Sequence, residues 1–261
     1  MDPVVMISHG AWHTPEHYAH LTQYLHTVGF AKVLCPQHLS AKTTVPFPET
    51  ASLEYDTLQL YETVRSVVDL GHPVILLMHS YGGVVGNNAT DGFLRPQRKA
   101  RGLQGGIVHL VYFSAFVMPA GTSMVTPFNG SVPPWIAEDP ELHAIGFKDP
   151  RNACYNHIQD DKVAQHWLEK TVLCPARVMR DVQTFAPYEH IGPDLHATYL
   201  VCRDDYELKS YVQEGMATLL GESRRMRYLD SGHCAMIGNA KDIAGVVKEA
   251  WDSTFQSYGI L

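Results

Sequence analysis

The chain has 261 residues, of which 45% are hydrophobic and 18% charged, with a formal net charge of -7. That length and balance suit one core with an elaboration, and they exclude a disordered or fibrous chain. A net negative charge gives no electrostatic reason to expect nucleic acid or an anionic membrane as partner, so a small-molecule substrate is expected. The apolar runs fall far short of the roughly 20 residues that cross a bilayer, and the N-terminus carries no signal-like segment, so a cytosolic protein is expected. Five cysteines, widely spaced and without a CxxC pair, read as free thiols. Composition leaves a homodimer open.

In chain order, the first apolar run is Val4 to Ser8, followed by "HGAWH", where Gly10 allows a turn and Ala11 offers a backbone amide. His13 and His17 stand four apart, as two metal ligands on a helix face could. "HTPEH" is read instead as a helix start, with Thr14 capping and Pro15 at the first position; with no third ligand, no metal is expected. A second run spans Ala31 to Cys35. Then Leu60, Tyr61, Val64, Val67 and Val68 repeat at helical spacing, with Gly71 as the stop.

The third run, Val74 to Met78, ends in "MHSYGG". This matches the strand-to-helix nucleophile turn G-x-S-x-G except that Met78 replaces the first glycine; Gly82 and Gly83 supply the close backbone approach. Met78 is expected to lie buried beneath the turn. Further runs span Ile107 to Phe113 and Thr198 to Cys202, and a more polar one, Arg225 to Leu229, is placed nearer an edge. The last helix begins at Asn239 and carries a stripe of Ile243, Val246, Val247, Ala250 and Trp251. Strands alternating with helices predict an α/β fold, a mostly parallel sheet covered on both faces. Residues 119–187 are rich in proline and scattered aromatics with no clear strand, and are read as a mostly helical lid over a core of 1–118 and 188–261.

A serine hydroxyl needs a base to take its proton and an acid to orient that base. Of 15 histidines only His233, in "SGHCAM", lies beyond residue 205 and follows the last run. The acid should follow the preceding run, where Asp204 and Asp205 stand side by side. An acyl-transfer site also needs two oxyanion donors. The amide of Tyr81, after Ser80, and that of Ala11 occupy the places the mechanism requires.

Together "HGAWH", "HSYGG", "VCRDD" and "SGHCAM" resemble the α/β-hydrolase superfamily, and within it small esterases of the plant methylesterase and hydroxynitrile-lyase group and related fungal proteins. In that group the acid precedes the histidine by a similar interval, and the 28 residues from Asp205 to His233 select Asp205. The resemblance implies Ser80 as nucleophile, His233 as base, Asp205 as orienting acid, and Ala11 with Tyr81 as the oxyanion hole. It also disfavours cyanohydrin cleavage: Cys234 and Gly10 stand where those lyases carry lysine and threonine.

The expected function is therefore hydrolysis of a carboxylic ester or lactone of a small aromatic or polyketide-like molecule through an acyl-enzyme, without a cofactor. A lyase, cyclase or C–C bond-cleaving enzyme using the same residues is the alternative, and a small-molecule receptor a third reading. Gly10, Trp12, His79, Phe128, Trp135, Tyr155 and Trp167 are the expected pocket residues.

Overall fold

The β-branched apolar runs and the more polar last one assemble into one six-stranded sheet with every pairing parallel. The computed structural model describes residues 2–41, 45–190, 196–222 and 224–258. Its strands are β1 (Val4–Ser8), β2 (Lys32–Leu34), β3 (Pro73–His79), β4 (Gly106–Phe113), β5 (Ile136–Asp139), β6 (Ala144–Phe147), β7 (Cys174–Pro175), β8 (Ala197–Cys202) and β9 (Arg225–Leu229). The helices are α1 (Ala19–Thr27), α2 (Leu53–Val68), α3 (Gly82–Ala89), α4 (Arg95–Ala100), α5 (Pro150–Tyr155), α6 (Asp161–Leu168), α7 (Ser210–Thr218), α8 (Ala235–Gly238) and α9 (Ala240–Tyr258).

The order across the main sheet is β2-β1-β3-β4-β8-β9, which puts β9 at one edge as expected and β2 at the other. Of the apolar run at Ala31 to Cys35 only Lys32–Leu34 join the ladder, partly exposed, because β1 is their single neighbour. Period-two alternation sorts the strand side chains between the faces. Val4, Met6, Leu76 and Met78 pack with Leu60, Val64 and Val85 of α2 and α3. Val5, Ile7, Ile75 and Leu77 pack with Leu21 and Leu25 of α1 and Ile243 and Val247 of α9. Each such side chain, fully buried, contributes roughly 1.5–3 kcal/mol of transfer free energy. Gly71 ends α2 at φ +88°, where a side chain would be strained.

The segment 119–187 departs from the helical expectation. Alongside α5 and α6 it holds a second sheet in which β6 pairs antiparallel with both β5 and β7. The β5–β6 turn is closed by Asp139, whose Oδ1 accepts from the amides of Glu141 and Leu142 at 3.0 Å each. The segment is tied to the core by Trp12 Nε1 donating to the Ile145 carbonyl (2.7 Å), and by Asn88 Oδ1 accepting from the amides of Thr184 and Phe185 (2.8 and 3.0 Å). All five cysteines are free thiols. Among the described residues no helix is long and apolar enough to cross a membrane.

Candidate active site

Ser80 lies between the end of β3 and the start of α3 with φ +51°, a left-handed conformation that a non-glycine residue adopts only when its surroundings impose it. They do so here through the backbone. The Ser80 amide donates to the Ser114 carbonyl at 3.1 Å, and the Ser80 carbonyl accepts from the amides of Gly83 (2.9 Å) and Phe116 (3.2 Å). A Cβ on Gly82 would stand 2.0 Å from the Ser8 carbonyl oxygen, and one on Gly83 2.2 Å from that of Phe116. Both glycines are therefore required by backbone contact.

Met78 is fully buried, paired between Ser8 of β1 and Tyr112 of β4. A Cβ on Gly86 would come within 2.5 Å of the Met78 sulfur, so the thioether fills the space that a glycine of α3 leaves open. The missing glycine of the turn is thus offset by another across the strand–helix contact.

The two amides proposed for the oxyanion are braced by buried polar side chains. His9 Nδ1 donates to the Gly10 carbonyl at 2.9 Å, fixing the peptide whose other end is the Ala11 N–H. The Tyr18 hydroxyl accepts from the Gly10 amide at 2.9 Å. Tyr81 precedes α3, and its hydroxyl donates to Asp56 Oδ2 at 2.8 Å; Asp56 also accepts from the amide and hydroxyl of Ser40. Burial pushes the Asp56 carboxyl above its ordinary range, opposed by the Ser40 and Tyr81 donors. Among the described residues neither the Ala11 nor the Tyr81 N–H has a protein acceptor.

Of the two adjacent aspartates, Asp204 faces solvent while Asp205 is buried against His233, its Oδ2 2.8 Å from Nδ1. Asp205 also accepts from the amides of Glu207 (2.8 Å) and Leu208 (2.9 Å) and from Gln213 Nε2 (3.2 Å). Such an array fixes the carboxyl plane, and with it the imidazole orientation. Behind His233, its own carbonyl accepts from His79 Nε2 at 3.0 Å. The preceding Gly232 has no room for a side chain, since a Cβ would stand 2.1 Å from Asn156 Oδ1. Burial pulls the His233 pKa down, but the charges of Asp205 and Glu207 and the Asp205 hydrogen bond outweigh it and raise it to about 9.

The far nitrogen of His233, Nε2, faces Glu207 Oε2 at 3.5 Å. Among the described residues no hydrogen bond joins it to Ser80 Oγ. Catalytic contacts are often long before substrate binds. Glu207 is itself buried, with Oε1 accepting from Cys154 Sγ at 3.5 Å, and burial pushes its carboxyl well above the ordinary range.

Ser80, Ala11, Trp12, Tyr81, Trp135 and Glu207 line a small chamber of about 20 Å³. A cavity of about 590 Å³ lies beside it, and Phe116, Met124, Trp135, Glu207 and Leu208 belong to the walls of both. The large cavity is almost wholly apolar, formed by residues after β4, by Phe128 and Trp135, and by α7.

Four expected pocket residues line neither space. Gly10 is covered by the His79 ring, since a Cβ there would stand 2.8 Å from Nδ1. His79 is sealed between the Tyr18 hydroxyl (2.6 Å from Nδ1) and a stacked Phe113. Tyr155 is buried in the core with its hydroxyl 3.2 Å from His13 Nε2, and Trp167 packs on His17. The ring nitrogens of His13 and His17 meet the protein itself: Ala11 O, Tyr155 and Cys234 for the first, Thr14 and Trp167 O for the second. Sequence reasoning missed Glu207 and the α7 wall. The signal for Glu207 was its place two residues after the acid, in the same loop.

The family model described as "Alpha/beta hydrolase family" matches residues 4–246. The chain is 24% identical over 253 residues to alpha/beta hydrolase nvfD of Aspergillus novofumigatus, covering 96% of this chain and 97% of that protein. Among solved structures it is similar to a methylesterase protein, MES16, from Arabidopsis (TM-score 0.72, 19% identity, 97% of this chain and 100% of that one). It is also similar to tomato Methylketone Synthase I complexed with 2-tridecanone (TM-score 0.73, 14% identity, 97% and 99% covered).

Proposed function

The chain belongs to the α/β-hydrolase family, and from that premise we propose that it is a serine hydrolase that cleaves a carboxylic ester or lactone through an acyl-enzyme. The observations that carry this reading are the buried Asp205–His233 pair, 2.8 Å apart, and a serine on a strained strand-to-helix turn whose chamber is also lined by Glu207, the residue facing His233. In the proposed cycle His233 Nε2 takes the Ser80 proton as Oγ attacks the carbonyl, and the amides of Ala11 and Tyr81 receive the oxyanion. His233 then protonates the leaving alcohol, and water releases the acid.

The apolar cavity of about 590 Å³ supports a substrate whose larger part is hydrophobic, an aromatic or polyketide-like skeleton. Ser80→Ala should abolish hydrolysis of a p-nitrophenyl acyl ester while thermal unfolding stays unchanged. Undiminished turnover by that variant would refute the mechanism.

The engagement of His233 Nε2 with Glu207 supports a second reading, proton abstraction from carbon by His233 without an acyl-enzyme. Product analysis separates the two, since only hydrolysis adds water across an ester bond.

A further inference from the structure

Glu207 is the acidic side chain, among the described residues, that lines both the Ser80 chamber and the apolar cavity. Its backbone amide is fixed on Asp205 Oδ1 (2.8 Å) and its Oε1 by Cys154 Sγ (3.5 Å), leaving Oε2 opposite His233 Nε2 at 3.5 Å. That separation is at the outer limit of a direct hydrogen bond, and a water placed to one side of the pair reaches both atoms at roughly 2.8 Å. The chamber, which Ser80 and Glu207 both line, measures about 20 Å³ and has room for a water next to Glu207.

From this arrangement we infer that Glu207 shares with His233 the water that hydrolyses the acyl-enzyme, and so is a further catalytic residue. The inference rests on the acyl-enzyme reading above. The water gives one proton to His233 Nε2 and donates its other hydrogen as a hydrogen bond to Glu207 Oε2, while its oxygen bonds to the acyl carbon. As the tetrahedral intermediate collapses, the bond to Ser80 Oγ breaks and Oγ takes the proton from His233. Glu207 neither gains nor loses a proton. Its carboxyl oxygen accepts from water whether the acid is ionised or held neutral by burial. In the first half-reaction the leaving alcohol occupies this place, so Glu207 acts on water only once the alcohol has gone. The apolar walls offer that water few other acceptors.

The test separates the two half-reactions at the pH plateau of each protein. The wild type, Glu207→Leu and Glu207→Gln are mixed with stoichiometric p-nitrophenyl butyrate; the p-nitrophenolate burst reports acylation, and decay of the butyryl-protein mass reports deacylation. Glu207→Leu should acylate at nearly the wild-type rate yet deacylate about tenfold more slowly or worse, the effect of one lost hydrogen bond at the reacting water. Glu207→Gln, which keeps a carbonyl acceptor, should restore most of the deacylation rate. Deacylation by Glu207→Leu at the wild-type rate overturns the inference, and so does equal slowing of both steps, which would assign Glu207 to holding His233. If the leucine variant does not fold, Glu207→Ala replaces it, with formate expected to accelerate its deacylation and absence of that rescue counting against the inference. A wild-type protein that never carries butyrate on Ser80 instead overturns the acyl-enzyme reading itself, a different signature.

Discussion

His233, the proposed base, lies between two buried acids. Asp205 touches His233 Nδ1 at 2.8 Å, and Glu207 stands 3.5 Å from Nε2. Burial disfavours the imidazolium, yet the acids together raise His233 to about 9. The proposed reaction needs neutral imidazole, so kcat/KM should rise with pH through a limb near 9. The sign for stability is opposite: a raised histidine stabilises the fold fully below its unfolded value, and that contribution is lost as pH rises through about 9. Asp205→Asn should shift the activity limb downward and reduce kcat by about 10⁴-fold, as when a triad loses its orienting carboxylate. A pH–rate profile of the two proteins checks both, and an unmoved limb would deny Asp205 its role. The position of His233 was legible because one histidine alone follows the last strands. The choice of Asp205 over Asp204 needed the resemblance, since adjacent residues in a loop carry no periodicity that tells inside from outside. For Glu207 the only sequence signal was its place two residues after Asp205, too weak to act on, because a carboxylate in a polar loop reads as solvated until burial is known.

Elements differ in how plainly the sequence writes them. The central strands announce themselves because both faces are buried, so every residue of β3 from Pro73 to Met78 is apolar. The strands of the second sheet are two to four residues long, and one contains Pro175, too short for a period-two pattern to emerge. That is why residues 119–187 read as helical. Met78 illustrates a pairing that a local motif hides: the small partner it needs is Gly86, on the next helix. The wall formed by α7 was missed for a similar reason, since Tyr211, Val212 and Met216 stand in no motif that marks them as lining a cavity. Gly215 of that helix lines the cavity, and a Cβ there would meet nothing within 4 Å. Gly215→Phe should therefore fold, with a helix-propensity gain of a few tenths of a kcal/mol or more, while filling part of the cavity. Its kcat/KM should fall for esters of bulky acids and hold for p-nitrophenyl acetate. An equal loss for both esters would mean that the cavity does not receive the substrate.

At the scale of the molecule, function follows from where a parallel sheet ends its strands. The loops after β1, β3, β8 and β9 bring Ala11, Ser80, Asp205 and His233 to one edge, because parallel strands share a direction and their carboxyl ends coincide. The segment 119–187 adds Phe128 and Trp135 above that edge and turns a crevice into an apolar chamber. The architecture was readable from the alternation of runs, whereas the chamber was not, since its walls come from elements distant in sequence. The central claim is that Ser80 is the activated nucleophile, and a fluorophosphonate tests it most directly. Intact-mass analysis should show a single adduct, mapped to the peptide containing Ser80, and its formation should disappear in Ser80→Ala and slow in His233→Ala. No adduct, or one on a residue other than Ser80 while ester turnover persists, would contradict the account.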